Sequence, residues 1–456
     1  FPNRTEARFS ELTAKMPELA TLQEKIADDP ARTADQAALR DVLMAMSELI
    51  GSSQALAFLP PSGSVEAQPE WLSPFAVVMQ AFETGKVDAE HVAMLAGVEG
   101  MASALQDTDA QHASLEFTRN LSALSTRAQA LSTARGEYEK VGLEVSYYKA
   151  DLLYWALVIF VFAFLGVALT WLMPKSSVLY VATAALTAAP IALVIAAIVM
   201  RCMIRGRPPV STLYETVLFV TATGALTALV TEAINKKRIA LSAAVIMGLL
   251  GLFVANGYET LDKQDTMPSL VAVLDTNFWL ATHVTAITIG YSAGMLAALL
   301  ACAYLVRKLA FWAKPNPDFA RTMTRMVYGV LCFGLIFSTV GTILGGVWAN
   351  ESWGRFWGWD PKENGALLIV LSQIVILHAR MGGYLREFGI HMATAFGGTV
   401  VAFSWFGVNL LGVGLHSYGF TSGISNALNI YYLATWGLMA AAAGVHLVQL
   451  SNSRTA

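Results

Sequence analysis

From Asp151 onward the chain carries nine stretches of about 20 mostly apolar residues, approximately 152–173, 178–200, 212–233, 239–257, 279–306, 326–347, 364–380, 390–411 and 427–450. A helix rises about 1.5 Å per residue, so each is long enough to cross a hydrocarbon layer about 30 Å thick. Lipid offers no hydrogen bonds to the backbone, which leaves only helices and closed barrels as spanning structures. The weak ten-residue alternation of a membrane barrel is absent here, so the stretches predict helices. The expected fold is all-α, a polytopic membrane protein with about nine transmembrane helices. Composition agrees: 14% of the 456 residues are charged, against about 25% in soluble domains.

Residues 1–150 differ. Many charges fall there, and helix-forming runs are punctuated by Pro30, by Pro60, Pro61 and Gly63, and by Pro69. Phe117, Leu121, Leu124, Ala128 and Leu131 repeat at spacings of four and three, placing one apolar seam on one helix face. This predicts a packed α-helical domain. His91 and His112 stand singly in it, without a paired ligand motif, and read as surface or core histidines.

Loop charges orient the spans. One set of connecting loops and the C-terminal tail hold twelve Lys and Arg, and the opposite set holds six. The positive-inside rule puts the richer set in the cytoplasm, so residues 1–150 and the loop after the sixth stretch are expected outside. An exported domain that begins at Phe1 without an export signal leads us to expect the C-terminal part of a longer polypeptide. Net charge is −3 and the longest basic tract is Lys236–Arg238, which gives no nucleic-acid surface. Cys202, Cys302 and Cys332 are far apart and form no CxxC motif, so any thiol chemistry belongs to a partner.

The loop expected at 348–363 concentrates the chemistry. Four of eleven tryptophans, Trp348, Trp353, Trp357 and Trp359, fall within twelve residues, spaced by glycines and joined by Phe356. An interfacial aromatic belt is one explanation; a flat apolar platform for a large planar ligand is the other, and fits a whole aromatic loop better. His283, near the outer end of the fifth stretch, and His416, in the loop after the eighth, face the same side as the tryptophans. His378 lies 14 residues past Asn364, about 21 Å down the seventh stretch. Ionisable side chains inside a membrane are costly and read as functional by default, and neutral imidazole beside an aromatic wall suits axial ligation of haem. His391 and His446, near cytoplasmic helix ends, are read as headgroup or loop contacts. Arg201, Arg205 and Arg207 face either ligand carboxylates or lipid headgroups, with Glu215 pairing one of them. Asp360 and Lys362 either form a solvated loop pair or meet polar groups of the ligand.

The run Trp353-Gly-Arg-Phe-Trp-Gly-Trp-Asp-Pro-Lys-Glu363 resembles the tryptophan-rich WWD signature of haem-handling proteins. With the flanking histidines and the segment Gly206–Glu215, residues 151–450 resemble the CcsA (CcsBA- or ResC-like) component of the system II cytochrome c synthase, often fused to CcsB. The resemblance implies that His283 and His416 are external axial ligands, catalytic in a cytochrome c haem lyase. It implies that His378 is a transmembrane ligand of haem on its way out, and that Trp348, Trp353, Phe356, Trp357, Trp359 and Asp360 form the haem platform. Haem b would be the substrate, apocytochrome c and a CcsB module the partners, and the bacterial inner membrane the expected location ahead of the thylakoid. A haem exporter without lyase activity is the nearest alternative reading, and a membrane channel or assembly scaffold the more distant one. Residues 1–150, expected to be extracytoplasmic, match no quoted motif.

Overall fold

The computed structural model describes residues 8–28, 36–37, 41, 44, 56–66, 70–260, 266–267, 276–310, 316–414 and 424–455. The chain divides into two compact units, residues 1–142 and 143–456.

The first unit is helical: α1 (Phe9–Asp28), α2 (Pro74–Thr84), α3 (Ala89–Ala104) and α4 (Ala110–Ala134). Ser73, Asp88 and Asp109 begin the last three by accepting backbone N–H bonds of the first turn, where four amides lack intrahelical partners. The seam on α4 is real: Leu124, Ala128 and Leu131 pack on Leu59, Met94 and Leu95. His91 is a core histidine, bonded through Nε2 to the Pro60 carbonyl at 2.9 Å. His112 is exposed. The bonded Asp107 carboxylate, 2.7 Å away, raises the imidazole above its usual range.

The second unit is a helical bundle: α5 (Val141–Ala150), α6 (Leu152–Leu172), α7 (Ser177–Arg205), α8 (Leu213–Asn235), α9 (Ile239–Thr260), α10 (Thr285–Leu309), α11 (Pro317–Trp353), α12 (Pro361–Met381), α13 (Glu387–Trp405) and α14 (Ile424–Thr455). A short helix (Asn277–Trp279) leads into α10. Every one of the nine apolar stretches lies on a helix. Among the described residues, eight helices are long and apolar enough to cross a membrane. The stretch at 390–411 forms α13, 19 residues long, followed by a 3₁₀ turn at Gly407–Leu411; α13 is not one of the eight, and it carries the buried His391. Phe162, Leu165, Phe253 and Leu433 are exposed on the bundle, as expected of a surface that faces lipid rather than water.

Small residues set the interior. On α10, Gly290 meets Ser338 and Gly294 meets Gln373 and Val401, so neighbouring helices approach closely, the usual packing where lipid supplies no hydrophobic drive between helices. Leu296, Leu300, Met323 and Val327 fill one core cluster, and Phe160, Leu218, Leu241 and Tyr291 another.

Candidate functional site

His283 sits in a π-helical turn, Leu280–Val284, that joins the short Asn277–Trp279 helix to α10. Such turns carry one extra residue per turn and so rotate a side chain off the regular helical face. The ring Nδ1 lies 2.8 Å from the carbonyl oxygen of Gly341 on α11. A carbonyl only accepts, so Nδ1–H donates and the neutral ring keeps its lone pair on Nε2. Gly345 makes room for the ring, since a Cβ there would lie 2.6 Å from its Cε1. Trp348, one turn further along α11, stands 5.6 Å from the imidazole and is stacked at 6.3 Å on Trp279. Trp279 is held in turn by Glu351, which accepts from its indole N–H at 3.0 Å.

The aromatic run is not all loop. α11 continues through Trp353 and ends at Gly354, which takes the left-handed conformation; the turn 354–360 follows, and α12 begins at Pro361. Asp360 and Glu363 form a capping box at the start of α12. Asp360 Oδ1 accepts from the Lys362 amide at 2.8 Å, and Glu363 Oε2 accepts from the amides of Gly358 and Asp360 at 2.7 and 3.1 Å. The turn is thereby pinned to the helix that follows it.

His283, Trp348, Trp353 and Trp357 together line one cavity of about 330 Å³, within the range of small-molecule sites. The other expected residues that the structure describes are not among its walls. Phe356 is half exposed, its ring lying over Gly346, and Trp359 is exposed, edge-on to Trp357 at 6.3 Å. Asp360 is buried, but as the helix cap. His378 is exposed on α12, in a stripe with Leu368, Leu371 and Val375, and donates through Nδ1 to the carbonyl of Ile374 at 2.9 Å. His416 lies outside the described residues. Two residues before it, Gly414 has φ of +91° and is so close to the Asp360 carboxylate that a Cβ would collide with it.

Further walls come from a segment and a charge already noted in the sequence, Val210–Leu213 and Lys362, and from Tyr291, Trp405 and Asn409, which the sequence did not single out. Behind Val210–Leu213 lies a buried charge cluster: Arg201 and Arg205 each reach Glu215 at 3.1 Å, while Glu215 also accepts from the Ser211 amide at 3.1 Å and from its hydroxyl. Arg201 is 1% exposed, so neither headgroups nor a ligand meet it; Thr266 and Tyr147 complete its shell. Lys362 and Asp360 make no solvated pair either, because Lys362 Nζ turns to the carbonyl of Trp405 at 2.7 Å. His391 is not a headgroup contact: fully buried, it stacks on Tyr304 at 3.8 Å and meets Thr324 through Nε2 at 3.3 Å. His446 packs its ring against Phe388 at 4.1 Å.

Fold and site define a class: a multi-pass helical membrane protein with a tryptophan-walled, histidine-bearing cavity at one end of its bundle. Comparison with known proteins narrows it. The family model described as cytochrome C assembly protein matches residues 210–416, from the cavity wall at Val210 to His416. The chain is 32% identical over 300 residues to the cytochrome c biogenesis protein CcsA of Synechococcus sp. (strain CC9311), covering 58% of this chain and 97% of that one. It is 35% identical over 240 residues to the CcsA protein of Guillardia theta, covering 47% and 77%. The chain belongs to the CcsA family of cytochrome c biogenesis proteins.

Proposed function

We propose that the cavity receives haem b as substrate and presents it for covalent attachment to apocytochrome c, a haem lyase activity. The observation that carries this reading is the bond from His283 Nδ1–H to the Gly341 carbonyl. It holds the imidazole in the tautomer that ligates iron through Nε2, beside a wall of Trp348, Trp353 and Trp357. Metal-ligating histidines are oriented in this way by a carbonyl on the other nitrogen, and a porphyrin needs an aromatic, largely dry surround. His416 is the proposed second axial ligand, with Phe356 and Trp359 completing the platform at its rim. Asp360 holds the turn in place.

By the distribution of loop Lys and Arg, the cavity opens on the outer side of a bacterial inner membrane. Haem arrives through an inner site at His378, whose exposed stripe would be covered by a CcsB module. A CxxCH segment of the apocytochrome then meets the haem edge. Each thiol adds across a vinyl C=C: sulfur bonds to the carbon next to the ring, its hydrogen goes to the terminal carbon, and no electron is left over. The substrate's histidine replaces one axial ligand. This chain supplies position and water exclusion, and no nucleophile of its own.

Co-expression of the full chain with a CcsB module and a CxxCH apocytochrome tests the reading, with covalent haem detected after denaturing electrophoresis. His283→Ala should lower attachment about tenfold or more, with partial recovery in added imidazole. Attachment unchanged by that substitution would contradict it.

A further inference from the structure

Two formally charged carboxylate or ammonium side chains line the cavity, Glu363 and Lys362, and they are compensated unequally. Glu363 stands in the first turn of α12, the positive end of the helix dipole, and accepts two amide N–H bonds there; dipole and donors both favour its charge. Lys362 occupies the same turn, where the dipole opposes a cation. Its Nζ donates to the neutral Trp405 carbonyl at 2.7 Å, with Asn409 Oδ1 at 3.5 Å; the Asp360 carboxylate attracts it but makes no ion pair with it among the described residues, being engaged as the cap of α12. Asn409 points its amide oxygen toward this ammonium, and its NH₂ group makes no hydrogen bond to the described residues. A half-buried cation at the wrong end of a dipole, with a neighbouring amide donor, is a receptor for an anion that comes from outside the chain.

We propose that Lys362, with Asn409, binds a carboxylate of the cavity's ligand; resting on the haem reading above, that group is a haem propionate. The second oxygen of Glu363, Oε1, is buried without a donor among the described residues, so Glu363 repels a carboxylate and favours its approach to Lys362 and Asn409. Haem b carries its two propionates on the ring edge opposite its vinyl groups. Anchoring the propionate edge therefore sets which edge is left for the incoming thiols, and Lys362 acts as a specificity-determining residue.

The test compares haem with haem dimethyl ester, in which both propionates are neutral, by Soret titration of the purified full chain, wild type, Lys362→Met and Lys362→Arg. Wild type should prefer haem by about 10- to 100-fold, the scale of a hydrogen bond between charged groups. Lys362→Arg should keep most of that preference. Lys362→Met should lose it while binding the ester as wild type does. Equal affinity of wild type for haem and ester would overturn the proposal and leave the haem reading standing, as would an undiminished preference in Lys362→Met. Failure of wild type to bind either porphyrin would overturn both. If Lys362→Met fails to fold, wild type and Lys362→Arg still decide: a preference lost in the charge-conserving variant overturns the proposal, and one retained supports it.

Discussion

Two histidines in the same bundle are set in opposite surroundings. His283 is oriented by a carbonyl 58 residues away on another helix and leans on a tryptophan, Trp348, stacked on a second tryptophan, Trp279, which a glutamate holds in turn. His378 is oriented only by its own helix, through the carbonyl four residues back, and looks outward from a stripe of exposed apolar side chains. The first site is organised by this chain; the second presents a ring exposed at the surface of the bundle. A group locked by long-range contacts is ready for a ligand before it arrives, whereas an exposed polar group on a lipid-facing stripe marks an interface or a path.

The sharpest way to break this contrast is to loosen the wall behind the cavity. Arg201→Met leaves Glu215 buried with half its ion-pair shell, and loss of one partner of a buried pair costs about 3–5 kcal/mol. Denaturation of the protein in detergent should fall by that order, and the porphyrin spectrum should broaden as Val210–Leu213 loses its support. A change confined to Arg201 with no effect on the cavity would detach the cluster from the site. Gly345→Ala acts more locally. Its Cβ would press on the His283 ring, with an overpacking cost of about 1–3 kcal/mol and a shifted Soret band in a protein that still folds.

His378→Ala is expected to leave the stability of this chain within about 0.5 kcal/mol, as exposed substitutions do. Its effect should appear as reduced haem content only when a CcsB module is present. A large loss of stability in the chain alone would show that His378 is held by its own bundle, and the contrast would collapse. The smallest effect concerns His112 in the first unit. Hydrogen bonding and attraction to Asp107 raise the imidazole, so its share of stability is complete below the usual imidazole range and is lost as pH rises through the raised value. Asp107 is lowered by the Asp109 amide and by His112, so its share is lost as pH falls through that lowered value. Both groups are exposed and screened. A comparison of wild type with His112→Ala between pH 5 and 8 should therefore reveal only a slight, salt-sensitive slope.

The helices were legible because lipid imposes length and apolarity on each one directly, and Leu124, Ala128 and Leu131 were legible because a seam is local periodicity. Trp348, Trp353, Trp357 and His283 were also readable as one group, since their types are rare and their helix ends face the same side. What escaped was set by contacts distant in sequence. A pairing of Glu215 with one of the nearby arginines was legible, but not that Arg201 is buried with it beneath the cavity wall, and nothing near His391 signals that Tyr304 and Thr324 enclose it. The extension of α11 through Trp353 was missed because glycine and tryptophan together read as loop, whereas packing of Trp348 on Trp279 carries the helix onward. For Lys362 the sequence left open a loop pair with Asp360 or a polar contact with the ligand; its bond to the Trp405 carbonyl, 43 residues away, is a tertiary contact that no local pattern shows.

The central claim is that His283 is an axial ligand held ready in its cavity, and the visible spectrum of the purified full chain with a CcsB module tests it most directly. Wild type should show the sharp, split reduced bands of bis-imidazole haem; His283→Ala should lose them and regain them in part with added imidazole. A His283→Ala protein with the same bands as wild type, or a wild type that carries no haem with its partner present, would contradict the account.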